Sequence, residues 1–193
     1  MPVIGVLALQ GCVEPHRPHI EAMGCRFRAV KTQSQIESVD SLILPGGEST
    51  TMLKLITVFD LKDCLQDAIG SKPVWGICAG AILLAQMVIS PEQESLNALD
   101  IKVVRNAYGR HLDSHQAECE GYPVSFIRAP VIESVGRDVG ILWEKGGHPV
   151  WVKQGHVMAT TFHPEMTLDA PSPMHLYFKD LMASATVSAS VSG

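Results

Sequence analysis

The chain is 193 residues long, 46% hydrophobic and 18% charged, with a formal net charge of −5 at pH 7. That length allows one well-formed core and not two ordinary domains. The composition excludes a disordered chain, and the acidic balance gives no electrostatic support to nucleic-acid binding.

The run Val3-Ile4-Gly5-Val6-Leu7 has no basic region ahead of it. It reads as a first strand over residues 3–9 and not as a signal peptide, so a cytoplasmic protein is expected. Residues 15–23 read as a helix closed by Gly24, with Pro15 and Pro18 tolerable only in or before its first turn. Strands follow at 25–30 and 41–44, the second ending in Pro45-Gly46-Gly47, and helices over 49–55 and 61–69. Strand-helix alternation with near-continuous apolar strands predicts a parallel sheet covered on both faces. Ligands of such sheets sit at the carboxyl ends of the strands.

Residues 72–75 read as a buried strand and 81–85 as a helix, with Gly76-Ile77-Cys78-Ala79-Gly80 between them. A small-x-nucleophile-x-small sequence at a strand-to-helix junction is the pattern of a nucleophile elbow. The helix N-terminus favours a thiolate, and the Ala79 N–H is a candidate donor to an anionic intermediate. The apolar stretch at 74–85 is too short for a bilayer, which takes roughly 20 residues, so no membrane role is expected. The five cysteines form no CxxC pair, which argues against a disulfide framework or a zinc site. Cys12, Cys25, Cys64 and Cys119 read as small hydrophobes.

The second half is richer in strands, predicted at 101–105, 124–127, 139–143, 150–153 and 156–162, with hairpin turns at Gly146-Gly147 and Gln154-Gly155. His111 and His115 have i, i+4 spacing but lie in a Gly/Asp/Ser-rich stretch, so no metal is expected there. A last helix is predicted over 173–182. The fold expected is α/β, with a mostly parallel central sheet, helices on both faces and a strand-rich C-terminal half. One domain covers 1–183, and 184–193 is expected to be a disordered tail.

A cysteine nucleophile needs a base and a group that orients the base. His163 ends the run Val157-Met158-Ala159-Thr160-Thr161-Phe162 and is followed by Pro164-Glu165. A strand that carries His163 to the rim places it near the elbow, and Glu165 can fold back onto the far ring nitrogen. Gly46 and Gly47 allow close approach to a ligand. The Gly47 N–H is a second candidate oxyanion donor, and Glu48 a candidate for an α-amino group.

The elbow with a later His-Pro-Glu resembles the class I (triad) glutamine amidotransferases, and within them the glutaminase branch of pyridoxal 5′-phosphate synthase. The resemblance rests on Gly5 to Gly11, Leu44 to Thr51, Trp75 to Gly80, Asp100-Ile101 with Val104-Arg105-Asn106, Phe126 to Pro130 and Phe162 to Glu165, in the family's order. It implies hydrolysis of L-glutamine to glutamate and ammonia through a glutamyl thioester. Cys78 would be the nucleophile, His163 the proton shuttle and Glu165 its orienting group. Gly46, Gly47, Glu48, Arg105, Ile127 and Arg128 would bind substrate, and Gly47 with Ala79 would form the oxyanion hole. Gln10 and His16 would lie in the region that docks a (β/α)8 synthase subunit, the partner that receives the ammonia. No cofactor is implied. The chain departs from the family at Ile77, where Thr is common, and in the proline-rich 14–18 segment.

Three other readings remain at this point. One is a glutaminase of another synthase, such as that of histidine biosynthesis. The second is a non-catalytic redox or binding module with Cys78 as its thiol, and the third a cysteine peptidase.

Overall fold

The computed structural model describes residues 1–105 and 115–191, with side-chain surroundings through 185. Asn106 and His111 lie outside the described residues. The first half alternates as expected: β1 (Val3–Leu7), α1 (His16–Ala22), β2 (Arg26–Val30), α2 (Gln33–Glu37), β3 (Ser41–Leu44), α3 (Ser49–Val58), α4 (Lys62–Ser71), β4 (Val74–Ile77) and α5 (Ala79–Leu84). The second half holds β5 (Ala85–Ile89), β6 (Leu99–Val104), β7 (His115–Cys119), β8 (Tyr122–Phe126), β9 (Val131–Val135), β10 (Gly140–Lys145), β11 (His148–Gln154) and β12 (Val157–Thr160). A 3-10 turn, Pro164–Met166, and α6 (Pro173–Val191) complete it.

Seven strands form the main sheet in the order β10-β11-β12-β4-β3-β1-β2. The five from β12 to β2 run parallel, and β11 and β10 form an antiparallel edge. Period-2 alternation splits the core into two layers. Val3, Leu7, Leu42, Leu44 and Val74 face one side, against Ile36, Met52, Ile56 and Leu65 of α2, α3 and α4. Ile4, Val6, Ile43, Trp75 and Ile77 face the other, against Ile20 of α1 and Met174 and Phe178 of α6. Both faces of β1 are therefore buried along its whole length, as its unbroken apolar sequence requires.

The parallel arrangement brings the carboxyl ends of β1, β3, β4 and β12 to one rim. The segments that leave there hold Gln10 to Cys12, Gly46 to Glu48, Cys78, and His163 to Glu165. The rim is cross-tied: the Cys78 N–H donates to the Thr160 carbonyl at 2.8 Å, and the Cys12 N–H to the Gly46 carbonyl at 2.9 Å.

Several elements differ from expectation. The helix after the elbow stops at Leu84, and Ala85 opens β5, which pairs with β6 in a separate three-stranded sheet. β7 and β8 form a two-stranded sheet of their own. His115 opens β7 and stacks on the Phe126 ring at 4.9 Å. The final helix does not end at Met182 but continues to Val191, because no Gly or Pro interrupts residues 174–191. Part of the segment expected to be a disordered tail is thus helical.

The glycines of the elbow are required by packing. A Cβ on Gly80 would lie 2.0 Å from the Leu44 carbonyl oxygen, and one on Gly76 would lie 2.5 Å from the Gly80 carbonyl oxygen. These are backbone atoms that cannot swing away, so the small residues let α5 rest against the end of β3. Gly70 in α4 would meet nothing within 4 Å. Gly80→Ala is expected to cost about 3 kcal/mol or more through overpacking. Gly70→Ala is expected to stabilise by roughly 0.5–1 kcal/mol. Thermal or urea unfolding of the two variants checks both signs.

Candidate active site

Cys78 sits between β4 and α5 with φ 50° and ψ −99°. A non-glycine residue there carries strain of order 1–3 kcal/mol, which the surrounding hydrogen bonds and packing hold in place. Its side chain is nearly buried, and Sγ lies 3.9 Å from the Ile127 carbonyl oxygen. Ala79 opens α5 directly after it, also buried.

His163 follows β12 by three residues. Its backbone pairs both ways with Ser125 of β8, at 2.7 Å from the His163 N–H and 3.4 Å to its carbonyl. The two-stranded sheet thus fixes the base through Ser125 and reaches the thiol through Ile127. Pro164 then starts the 3-10 turn that folds the chain back, and Glu165 Oε1 meets His163 Nδ1 at 2.7 Å. Both residues are buried, at 4% and 3% exposure. An ionised carboxylate only accepts, so Nδ1 is the donor and Nε2 is left for the thiol.

The electrostatics agree with that assignment. Burial pulls the His163 ring down, but the hydrogen bonds to Cys78 and Glu165 outweigh it, and the ring is pushed up to about 10. Burial likewise raises Glu165, but its bond to His163 and the nearby His16 ring hold it below the usual carboxylate range.

Gly46 lies under the base. A Cβ there would stand 2.2 Å from His163 Cε1, so glycine is needed for contact between the loop and the ring. The Gly46 carbonyl is held by Cys12, and in a trans peptide this sets the Gly47 N–H in the opposite direction. Gln10 Oε1 accepts the Glu48 N–H at 2.8 Å.

Glu48 caps α3. Its carboxylate accepts from the Thr51 N–H at 2.7 Å and the Thr51 hydroxyl at 2.9 Å, and from the Thr50 hydroxyl. Burial opposes the charge, but these bonds win and hold the group down to about 2. Arg105 Nη2 lies 3.3 Å from Glu48 Oε1. Glu48, the candidate for an α-amino group, and Arg105, expected to bind substrate, are thus neighbours. Arg128 follows Ile127 with an exposed side chain and φ 46°.

The two residues expected in a docking region have other surroundings. Gln10 latches the Gly46 to Glu48 loop from within. His16 is 0% exposed, with Nδ1 3.0 Å from Nε2 of His175, so its side chain offers nothing to a partner surface. The sequence also gave Cys12 no special place. Its thiol, a His163 nitrogen and a Glu165 oxygen lie within 4.8 Å of one another. His163 and Glu165 are bonded to each other, so this is a hydrogen-bonded pair beside a thiol and not a coordination shell. Burial, then the Glu165 charge, push the Cys12 thiol up, which keeps it protonated. Its place was legible only through the cross-tie to Gly46, a contact between distant segments.

A mostly parallel α/β sheet with a thiol on a strained elbow and a buried His-Glu pair at the same rim is an arrangement suited to thiol-based acyl chemistry. The chain belongs to the SNO glutamine amidotransferase family, whose model matches residues 6–183. It is 44% identical to a pyridoxal 5′-phosphate synthase subunit PdxT of Kineococcus radiotolerans, over 94% of this chain and 95% of that protein. It is 46% identical to a protein of the same name from Haemophilus ducreyi, over 86% and 90%. A solved structure described as a glutamine amidotransferase superposes with TM-score 0.84 at 40% identity, covering 93% of this chain and 98% of that one. PurLQS from Thermotoga maritima shares the fold alone, with TM-score 0.57 at 15% identity over 97% and 98% of the chains. Among the described residues, no helix is long and apolar enough to cross a membrane.

The raised His163 value has a consequence for stability. The folded protein holds that proton more tightly than the unfolded chain does, so the contribution is complete below pH 6.5 and lost as pH rises through about 10. The Glu165 contribution has the opposite sense and is lost as pH falls through its depressed folded value. The Tm advantage of the wild-type protein over His163→Gln is therefore expected to be present at pH 6 and to vanish by about pH 10. A difference that stays constant across that range would contradict the assignment.

Proposed function

We propose that this chain hydrolyses L-glutamine to L-glutamate and ammonia, and delivers the ammonia to a synthase subunit that builds pyridoxal 5′-phosphate. The observation that carries the reading is the buried 2.7 Å bond between His163 Nδ1 and Glu165 Oε1 beside a thiol on a strained elbow. Family membership and relatives named as pyridoxal 5′-phosphate synthase subunits support the pathway. The partner in this reading is the (β/α)8 synthase subunit, in a hetero-oligomer. The five free cysteines suit the reducing cytoplasm.

The His163 ring already holds its second proton at neutral pH; its Nε2–H faces Cys78 Sγ, and Sγ attacks the side-chain amide carbon. The tetrahedral oxyanion is met by the N–H groups of Gly47 and Ala79. Collapse breaks the C–N bond, His163 gives its proton to the departing nitrogen, and ammonia leaves a glutamyl thioester on Cys78. Water then attacks the thioester carbon, His163 takes its proton and keeps it as the C–S bond breaks and glutamate departs. Glu165 keeps the ring in one tautomer and stabilises the imidazolium of each step. Arg105 and Arg128 suit the α-carboxylate, with Ile127 preceding Arg128 in the same segment, and Glu48 suits the α-amino group. No cofactor takes part.

The His-Glu pair weighs against a module that only needs a reactive thiol, and the names of the relatives weigh against the histidine pathway. Ammonia release from L-glutamine, measured with and without a pyridoxal 5′-phosphate synthase subunit, tests both halves. Release is expected to rise with the partner and to fall at least about 10³-fold in Cys78→Ala. Release that ignores the partner would remove the pathway. None in either mixture, with a partner competent on free ammonia, would remove the chemistry.

A further inference from the structure

The connection from β5 to β6, residues 90–98, belongs to no sheet and no helix, yet it is tied down along its length. The Ser95 hydroxyl donates to the Ala85 carbonyl at 2.6 Å. The Leu96 and Ala98 N–H groups donate to the Leu83 and Leu84 carbonyls at 2.7 and 2.9 Å. These bonds fix the second half of the connection to the end of α5, the helix that follows Cys78. The first half reaches the other helices. Gln93 Oε1 lies 2.9 Å from Ser49 Oγ, on the first residue of α3. Glu94 lies 3.9 Å from Lys62 Nζ at the start of α4. That ion pair is exposed and contributes little. The bond to Ser49 is sheltered: Ser49 is buried, and Gln93 Nε2 is buried with no partner among the described residues. A hydroxyl both donates and accepts, so this tie holds whichever end of the amide faces it.

Ser49 directly follows Glu48. The Glu48 carboxylate is bound to the first turn of α3 through Thr50 and Thr51, so it moves with that helix. Arg105 belongs to a different layer. It follows β6, and its N–H donates to the carbonyl of Ile89, the last residue of β5, at 3.1 Å. β5, β6 and β9 form a sheet apart from the main one, so the main-sheet ladder does not set where Arg105 stands. Arg105 and Glu48 meet at 3.3 Å, but that contact loosens whenever a ligand takes either partner. The connection spans the same two layers, since it leaves β5 next to the Arg105 anchor and bonds α3 next to Glu48.

We propose that Gln93 is a positioning residue for the substrate-binding pair: by bonding the Ser49 hydroxyl it holds the start of α3 against the β5–β6 sheet, and so sets the spacing of Glu48 and Arg105 that the amino-acid end of the substrate meets. This role rests on the glutaminase reading, which gives that pair to substrate. Cys78, His163 and Glu165 are held by other bonds, to Thr160, to Ser125 and to each other. Loss of the tie therefore falls on substrate binding and not on the chemical step.

Two substitutions and their combination test it, assayed with L-glutamine and the synthase partner in proteins of matched Tm. Gln93→Met keeps the length of the side chain without its amide, and Ser49→Ala removes the other half of the bond. Gln93→Met is expected to raise KM about fivefold, the effect of one neutral hydrogen bond, with kcat within about twofold. In the Ser49→Ala background, where the bond is already gone, the same substitution is expected to change KM by less than about twofold. An unchanged KM in Gln93→Met would overturn the inference, as would an equal rise in both backgrounds or a loss confined to kcat. No turnover by the wild-type protein would remove the glutaminase reading, and this role with it.

Discussion

The hydrogen bond between His163 and Glu165 constrains the rest of the site. It joins two residues only two positions apart, at 2.7 Å, in the protein interior. In water such a pair would contribute little. Buried, it fixes the ring tautomer, keeps the carboxylate ionised and aims the other ring nitrogen at the thiol. It forms because the chain is bent on both sides. β12 ends at Thr160, the His163 backbone is clamped to Ser125, and Pro164 begins a tight turn that returns Glu165 to the ring.

The same economy of space governs the nucleophile. Cys78 holds a positive φ because β4 ends under it, α5 begins after it, and Gly76 and Gly80 leave room for backbone against backbone. Its N–H is tied to Thr160, so the strand that carries the thiol and the strand that carries the base end in register. The Gly46 loop lies against the imidazole and is locked from behind by Gln10 and Cys12.

Local pattern made much of this legible. The elbow, the apolar strands and His-Pro-Glu are short-range signals, and the structure brings Cys78, His163 and Glu165 to one rim as their contexts required. The omissions have physical causes. α2 is a polar, five-residue helix set by a capping box between Thr32 and Gln35, which periodicity does not register. β5 continues directly from α5 with Ala85, Gln86 and Met87, residues that favour helix, and only pairing with β6 makes it a strand. His16 was placed in a docking region by resemblance, yet its partners are Trp75 and His175. Contacts between residue 16 and residue 175 leave no mark in local sequence. Gln10 and Cys12 were obscured for the same reason.

The central claim is that Cys78 is the thiol activated by this pair toward a glutamine carbon. A glutamine-shaped diazoketone, such as 6-diazo-5-oxo-L-norleucine, tests it directly when the labelled residue is located by peptide mass in the complex with the synthase subunit. The account expects a single adduct on Cys78, blocked by L-glutamine and strongly slowed in Glu165→Gln. An adduct on Cys12, or labelling of Cys78 that is indifferent to L-glutamine and to Glu165, would contradict it.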